Sequence, residues 1–235
     1  MESFYIGVYW GVRKESVASC AERTAKLLTC LATCDPIFEH WFEQGRSKKE
    51  ALKSEIKVEP EALQKLLLGG KNRTDVGNEV IKELGFRVGM WTGGSDDGSA
   101  SLTIKCGSYA PIPGINSCIL SLPIEEPIAE RLLHVPVLTS LLECMVAVWS
   151  PEWGLVTSRQ YQSLPGNLGA DVPQTGWIVY LAGHRASIAD RALTPPSEVQ
   201  RLGTDGSLLI ATNEPFSASN QEHVAAADRL ALLLK

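Results

Sequence analysis

The chain has 235 residues, a formal net charge of −5 and a hydrophobic fraction of 44%, which is the composition of an ordinary globular protein. It lacks both the roughly 18–20 consecutive apolar residues of a membrane helix and the clustered basic stripe of a nucleic-acid-binding surface. These features predict no membrane contact and no direct binding of DNA or RNA. The segment from Met1 to Trp10 also lacks the basic and apolar regions of a signal peptide, which predicts a cytoplasmic protein.

The first third of the chain is predicted to be mainly helical after an initial strand. Tyr, Ile and Val are enriched between Ser3 and Trp10, which is typical of a strand. From Glu15 to Cys34 the apolar residues recur at helical spacing, which predicts a long amphipathic helix. Four further helices are predicted over Ile37–Glu43, Ser47–Lys53, Glu61–Leu68 and Thr74–Leu84, the last of them closed by Gly85.

Period-two patterning dominates much of the remaining chain. Strands are predicted over Phe86–Trp91, Ser101–Cys106, Ser117–Leu122, Gly154–Arg159, Trp177–Leu181, Val199–Leu202 and Ser207–Thr212. Helices are predicted over Pro123–Leu133, Pro136–Val148 and Ser219–Leu234, where Ser219 and Glu222 have the spacing of a capping box.

The order of these elements predicts an α+β fold. Helices are grouped early, strands are mixed later, and no alternating βαβ rhythm appears. We therefore expect a single domain over residues 1–235, with a mostly antiparallel β-sheet and flanking helices. The stretch 162–176, rich in Gly, Pro, Asn and Gln, is a candidate subdomain boundary.

Six cysteines are scattered along the chain, mostly within apolar patterns. Cys20, Cys30 and Cys34 share the first long helix, and Cys144 lies in a later one. Free cysteine behaves as a small hydrophobic residue and is often buried. In a cytoplasmic protein these residues are therefore expected to be reduced core thiols.

The residues that could carry catalysis or bind a metal do not form a complete site. No G-x-S-x-G elbow is present, and His184 and Asp190 have no activated nucleophile nearby in sequence. Cys30, Cys34 and His40 lack a local fourth ligand for zinc. We expect no metal, no cofactor and no catalysis.

One alternative function remains open at this point. Glu55 and Lys57 resemble the end of a restriction-endonuclease motif, in which carboxylates hold a divalent ion, but the preceding acidic ligand on a strand is missing. A metal-dependent hydrolase or nuclease is therefore one alternative, and a non-catalytic adaptor of a secretion system is another.

The six tryptophans lie beside turn or polar residues and suit core edges or protein interfaces.

Ordered landmarks along nearly the whole chain resemble one known family. They are Tyr9-Trp10-Gly11 with Arg13 and Glu15, Cys20-Ala21-Glu22-Arg23, Asp35-Pro36, Trp41-Phe42-Glu43, Gly70-Lys71-Asn72-Arg73-Thr74-Asp75, Leu84-Gly85-Phe86, Met90-Trp91-Thr92-Gly93, Cys106-Gly107-Ser108-Tyr109, Asn116-Ser117, Leu122-Pro123, Trp149-Ser150-Pro151-Glu152-Trp153, Gly176-Trp177 and Asn220-Gln221-Glu222-His223. As an ordered set they resemble the immunity protein 52 family of bacterial polymorphic toxin systems.

The resemblance implies a function that the residues alone do not specify. Members of the family bind and neutralise a cognate toxin whose nuclease domain resembles restriction endonucleases, here one delivered by type VI secretion. Inhibition is expected to work by occlusion, without chemistry by the immunity protein. The expected partner is thus a protein.

Two groups of residues are candidates for contact with the toxin. Nucleases are often basic around the nucleic-acid groove, so an acidic surface would speed their association. The acidic candidates are Asp96, Asp97, Glu125 and Glu126. The second group consists of Trp153 and the loop Gln162–Gly176, because loops carry function disproportionately, together with Arg159 and Tyr161 before that loop.

Overall fold

One antiparallel β-sheet organises the fold. The structure is a computed structural model that describes residues 2–45, 47–112, 115–165, 175–183, 197–202 and 206–234. Within these residues the strands are β1 (Phe4–Trp10), β2 (Phe42–Glu43), β3 (Phe86–Trp91), β4 (Ser101–Cys106), β5 (Asn116–Ser121), β6 (Trp153–Ser158), β7 (Ile178–Ala182), β8 (Glu198–Leu202) and β9 (Gly206–Ile210). They pair in the order β2-β3-β4-β5-β1-β6-β7-β9-β8, with every neighbouring pair antiparallel.

Three of the helices pack against one face of this sheet, the inner face. The helices of the described residues are α1 (Val17–Cys34), α2 (Lys48–Ala51), α3 (Pro60–Gly69), α4 (Ile128–Leu132), α5 (Val135–Trp149), α6 (Arg159–Gln162) and α7 (Gln221–Leu233). α1 contacts both α3 and α5, while α3 contacts β3 and α5 contacts β1 and β6. In the described part of the chain no helix has the length and apolarity needed to cross a membrane.

Over β1 and β4, the hydrophobic core lies between these helices and the inner face of the sheet. Ile6 and Val8 of β1, and Leu102 and Ile104 of β4, are fully buried there and share one cluster with Leu27 of α1. Because side chains alternate along a strand, the intervening residues point to the opposite face. The α+β fold with an antiparallel sheet and flanking helices is therefore confirmed. β6 and β7, which precede and follow the predicted boundary at 162–176, pair directly; residues 166–174 lie outside the described residues.

The predicted helix over Thr74–Leu84 is wrong. The chain makes a tight turn there, in which the Thr74 N–H donates to Glu79 O and the Ile81 N–H donates to Asn72 O. Gly77 and Asn78 both have positive φ, a conformation that glycine and asparagine adopt most readily and that interrupts a helix. Only the end of the segment is helical, as a single 3-10 turn at Lys82–Leu84.

The predicted helix over Ile37–Glu43 is also wrong. A 3-10 turn at Pro36–Phe38 is followed by the short strand β2, whose Phe42 pairs with Trp91 of β3. Pairing with a strand that lies far along the chain outweighs the local helical pattern. At the C-terminal helix the predicted capping box is wrong as well, because the Asn220 side chain caps α7 by accepting from the Glu222 N–H.

The expectation that all cysteines are reduced is wrong for two of them. Cys30 of α1 and Cys144 of α5 form a disulfide with a Cα–Cα distance of 5.8 Å. The two residues face each other where α1 packs on α5, which is a distance and a geometry that a disulfide can bridge. The other four cysteines, Cys20, Cys34, Cys106 and Cys118, are free.

Asp35 fixes the end of α1 through an ion pair with α4. Its carboxylate receives two bonds from Arg131, Nε at 2.5 Å and Nη2 at 2.9 Å, and a third from the Ile37 N–H at 3.0 Å. The bonds from Arg131 and Ile37 outweigh burial and hold the pKa of Asp35 below its usual range.

We expect Asp35→Asn to lower the free energy of unfolding by about 1 kcal/mol at pH 7, the size of a lost half-exposed ion pair, because asparagine can still accept from the Ile37 N–H. Because the pKa is lowered in the folded state, this stabilisation is complete above the unfolded-state pKa of about 3.9 and is lost as the pH falls through the folded value. Urea unfolding at pH 7 and at pH 3 should therefore show a difference from wild type that shrinks in acid. The exposed turn residue Asp75, changed to asparagine, is the control and should leave both values unchanged; an equal difference at the two pH values would contradict the assignment.

Candidate partner-binding surfaces

The segments Tyr9-Trp10-Gly11 and Trp149–Trp153 meet where β1 and α5 end. The Trp10 and Trp149 rings are buried and stack with centroids 5.0 Å apart. The Gly11 N–H donates to Glu152 Oε1 at 3.0 Å, and the Glu152 N–H donates to Tyr9 O at 2.9 Å. These contacts connect the first strand to the last turn of α5, so these landmark residues form a structural junction.

A partly buried ion cluster completes that junction. Glu15, whose side chain is 8% exposed, lies 2.9 Å from Arg23 Nε and 3.5 Å from Arg13 Nε. Arg13 donates to the Trp149 carbonyl at 2.6 Å, and Arg23 donates to the Val148 carbonyl. Burial lowers the pKa of Arg13, and the neighbouring Glu15 opposes this effect. The two guanidinium groups thus cap the carbonyl end of α5, where cations are stabilised by the helix dipole.

The four acidic candidates, Asp96, Asp97, Glu125 and Glu126, come together in space. They are exposed and line one shallow depression, together with Lys48, Ser95 and Ile124. The Ile124 and Glu125 N–H groups donate to Asp97 O at 2.8 and 3.0 Å, and the Ser95 hydroxyl bonds to Glu125. These bonds hold two loops, distant in sequence, side by side. We call these four carboxylates the acidic patch.

The other three candidates separate into two environments. Trp153 is half-buried and stacks on Tyr9 with centroids 4.2 Å apart. Arg159 is exposed; its guanidinium lies 5.3 Å from the Tyr5 ring and Nη2 lies 3.3 Å from Ser121 Oγ. Both are on the face of the sheet opposite α1, α3 and α5.

Tyr161 is different because its side chain is fully buried. Its hydroxyl donates to Asp228 Oδ1 at 2.8 Å, and its ring meets Phe216 edge to face at 5.5 Å. A fully buried side chain has no surface to present to a partner, so Tyr161 acts in packing beside α7.

The residues of the alternative hydrolase hypothesis lie apart from any metal-binding geometry. Glu55 Oε1 is 2.7 Å from His40 Nδ1, on the exposed surface. Lys57 is exposed and lines a separate hollow beside α3. Among the described residues, no three His, Cys, Asp or Glu side chains are placed to hold a metal ion together. His184 and Asp190 lie outside the described residues.

Comparison with known proteins identifies the family. A solved structure described as "Pseudomonas aeruginosa T6SS protein PA0821" is similar in fold, with a TM-score of 0.57 at 13% identity, covering 100% of this chain and 72% of that one. No curated protein matches the sequence. The family model described as Immunity protein 52 matches residues 2–235. The chain therefore belongs to the immunity protein 52 family.

Proposed function

We propose that this chain binds and neutralises a cognate restriction-endonuclease-like nuclease toxin delivered by type VI secretion, by occlusion and without catalysis. The observation that carries the proposal is the family match over residues 2–235. The structural neighbour, described as a T6SS protein, supports the delivery route. We place neutralisation in the cytoplasm, because the nucleic acid that such a toxin attacks is there.

The acidic patch supports a basic partner. Four exposed carboxylates around one depression create a local negative potential, which raises the rate of encounter with a basic nucleic-acid groove. This steering acts before contact and therefore affects the association rate more than the lifetime of the complex.

We expect neutralisation of the acidic patch to slow toxin association about tenfold at low salt, because electrostatic steering acts through charge and is screened by ions. Stopped-flow association measured at low and at high ionic strength checks this, and the difference from wild type should close at high salt. The test variant carries Asp96→Asn, Asp97→Asn, Glu125→Gln and Glu126→Gln. The control has the same net charge but removes four exposed carboxylates elsewhere, in Glu22→Gln, Glu39→Gln, Glu59→Gln and Glu79→Gln.

If the control slows association as much as the test variant does, net charge rather than the acidic patch steers the toxin. Equal rates for wild type and the test variant at low salt would remove steering by these residues altogether.

The proposal also predicts that an adjacent gene encodes the toxin, and the function itself is tested with that protein. We expect the two proteins to co-purify and cells expressing the toxin to survive when this chain is co-expressed. Binding without rescue would favour the secretion-adaptor alternative. Cleavage of DNA or RNA by the purified chain with Mg²⁺, lost in Glu55→Ala, would favour the hydrolase alternative.

A further inference from the structure

Over β3, β4, β5 and β1, one face of the sheet is turned away from α1, α3 and α5, whereas over β6, β7 and β9 the same face is buried, as at Leu155, Val179 and Leu209. In β1, Tyr5, Gly7 and Tyr9 alternate with the core residues Ile6 and Val8, and their neighbours in β3, β4 and β5 follow the same alternation. Across the described residues, the hydrophobic cluster beneath the helices includes neither the outward residues of these four strands nor Trp153 beside them, and Tyr5 is 9% exposed because Arg159 covers it. We call the outward positions of β3, β4, β5 and β1, with Trp153 and Arg159 at their border, the outer face.

The outer face has a charge opposite to that of the chain. The chain contains 27 acidic and 22 basic residues. Among the described strand positions that form the outer face, however, there is no Asp or Glu, whereas Arg87 and Lys105 are exposed and lie opposite each other in register. Arg159 adds a third exposed cation at the β1 side. A protein of net charge −5 thus presents an acid-free, basic face.

Its aromatic residues are held in place before any partner arrives. The Tyr9 phenol lies on Gly7, where a Cβ atom would be 2.6 Å from the Tyr9 hydroxyl oxygen, and it stacks on Trp153 with an interplanar angle of 17°. Arg159 covers the Tyr5 ring. Tyr, Trp and Arg side chains that are already ordered lose little conformational entropy on binding, and these residue types dominate interface hot spots.

The acidic patch borders this face. β3 and β4 are joined by the turn that contains Asp96 and Asp97, and β5 is followed directly by the segment with Glu125 and Glu126. A partner covering both areas therefore meets a basic, aromatic centre with an acidic rim. Four strands at about 4.8 Å spacing and about 20 Å length give roughly 400 Å², so the rim is needed to reach the ~800 Å² per partner of a stable complex.

We propose that the outer face is the toxin-docking surface and that it binds a carboxylate-rich protein surface of the toxin. This inference rests on the proposed function and adds where the toxin binds and which charge it presents. A protein fits this face better than a nucleic acid does, because the four carboxylates of the acidic rim repel phosphate and offset its attraction to the three cations. The acidic rim then fixes the orientation of a partner that is basic at one edge and acidic over the centre.

Charge reversal on the outer face tests the proposal. The test variant is Lys105→Glu with Arg159→Glu, and the control is Lys26→Glu with Arg229→Glu, which makes the same charge change at exposed positions of α1 and α7. Dissociation constants are measured by calorimetry against a nuclease-inactive form of the toxin encoded by the adjacent gene. We expect the test variant to bind about 100-fold more weakly, as for two hot-spot residues, and the control within about threefold of wild type.

A second measurement uses the unmodified chain and so does not depend on how the variants fold. Hydroxyl-radical footprinting should show several-fold slower oxidation of Tyr9 and Trp153 in the complex, with exposed His134 on the helical side unchanged.

The outcomes separate the two proposals. If wild-type protein does not bind this toxin, the proposed function fails and the docking assignment fails with it. If wild type binds, and the test variant binds equally tightly with Tyr9 and Trp153 unprotected, the outer face is not the docking surface while the function stands. If the test variant instead loses binding to a fluorescent 20-nucleotide single strand and keeps the toxin, the face recognises nucleic acid and the proposal is overturned.

Discussion

Glu15→Ala is expected to lower the free energy of unfolding by about 2–4 kcal/mol. The substitution removes the counter-charge that lies between Arg13 and Arg23, both of which are less than one-third exposed. Removing one partner of a buried ion pair costs about 3–5 kcal/mol because the other charge stays desolvated and unpaired. The partial exposure of the two arginines reduces that figure. Without the Glu15 carboxylate, we also expect the bonds from the two arginines to the Val148 and Trp149 carbonyls to weaken. The contact between β1 and α5 would then loosen.

Two variants separate the charge of Glu15 from its volume. Glu15→Gln keeps the shape of the side chain and removes the charge. It should therefore lower the free energy of unfolding, but by less than Glu15→Ala does. Glu22→Ala, an exposed carboxylate on α1, is the control and should change stability by no more than about 0.5 kcal/mol. Urea midpoints with unchanged m-values provide the measurement. A Glu15→Ala midpoint within the error of Glu22→Ala would mean that the cluster does not stabilise the junction.

Most of the fold was predictable because its signals are local. The β3–β4 hairpin and α1 have period-two and helical patterns of their own, and both are present where the sequence places them. The turn around Gly77 could have been found from its Gly-Asn pair, since these two residues favour positive φ. β2 could not, because its extended form depends on pairing with β3, more than forty residues later in the chain.

The candidate surfaces were less predictable because they depend on which face the helices cover. The alternation of Tyr5, Gly7 and Tyr9 with Ile6 and Val8 marks two faces of β1 but does not tell which one packs against helices. Trp153 and Tyr161 are close in sequence, yet one borders the outer face and the other lies in the core. The acidic patch depends on backbone bonds between two separate loops. Residue type suggested these positions as contact candidates. Whether each side chain is exposed or buried depends on tertiary packing.

The disulfide between Cys30 and Cys144 was also not predictable from local sequence, because it depends on how α1 packs against α5. Its removal is expected to have the other large effect on stability. Replacing both with alanine is expected to lower the free energy of unfolding by about 2–5 kcal/mol, because the disulfide links positions 114 residues apart and so restricts the unfolded chain strongly. Cys34→Ala keeps the disulfide and is the control, with an expected change below about 1 kcal/mol. Thermal unfolding with and without reductant should reproduce the same ranking, since reduction of wild type mimics the double variant. A double variant as stable as wild type would show that the disulfide does not stabilise the fold.

The neighbouring Cys34 thiol makes the pairing itself testable. Its sulfur lies 3.7 Å from Cys144 Sγ, close enough to compete with Cys30 for the same partner. Burial raises the pKa of Cys34, which keeps it protonated at neutral pH and therefore a poor nucleophile. Wild-type protein alkylated in denaturant without reductant should thus carry four alkylated cysteines, with Cys30 and Cys144 in one disulfide-linked peptide pair. In Cys30→Ala, where the competitor is gone, we expect a Cys34–Cys144 pair to appear on oxidation.

Rapid alkylation inside living cells tests the location proposed for the protein. A reduced Cys30–Cys144 pair fits the cytoplasm. A disulfide already formed in the cell would place the chain in an oxidising compartment and overturn that part of the proposed function.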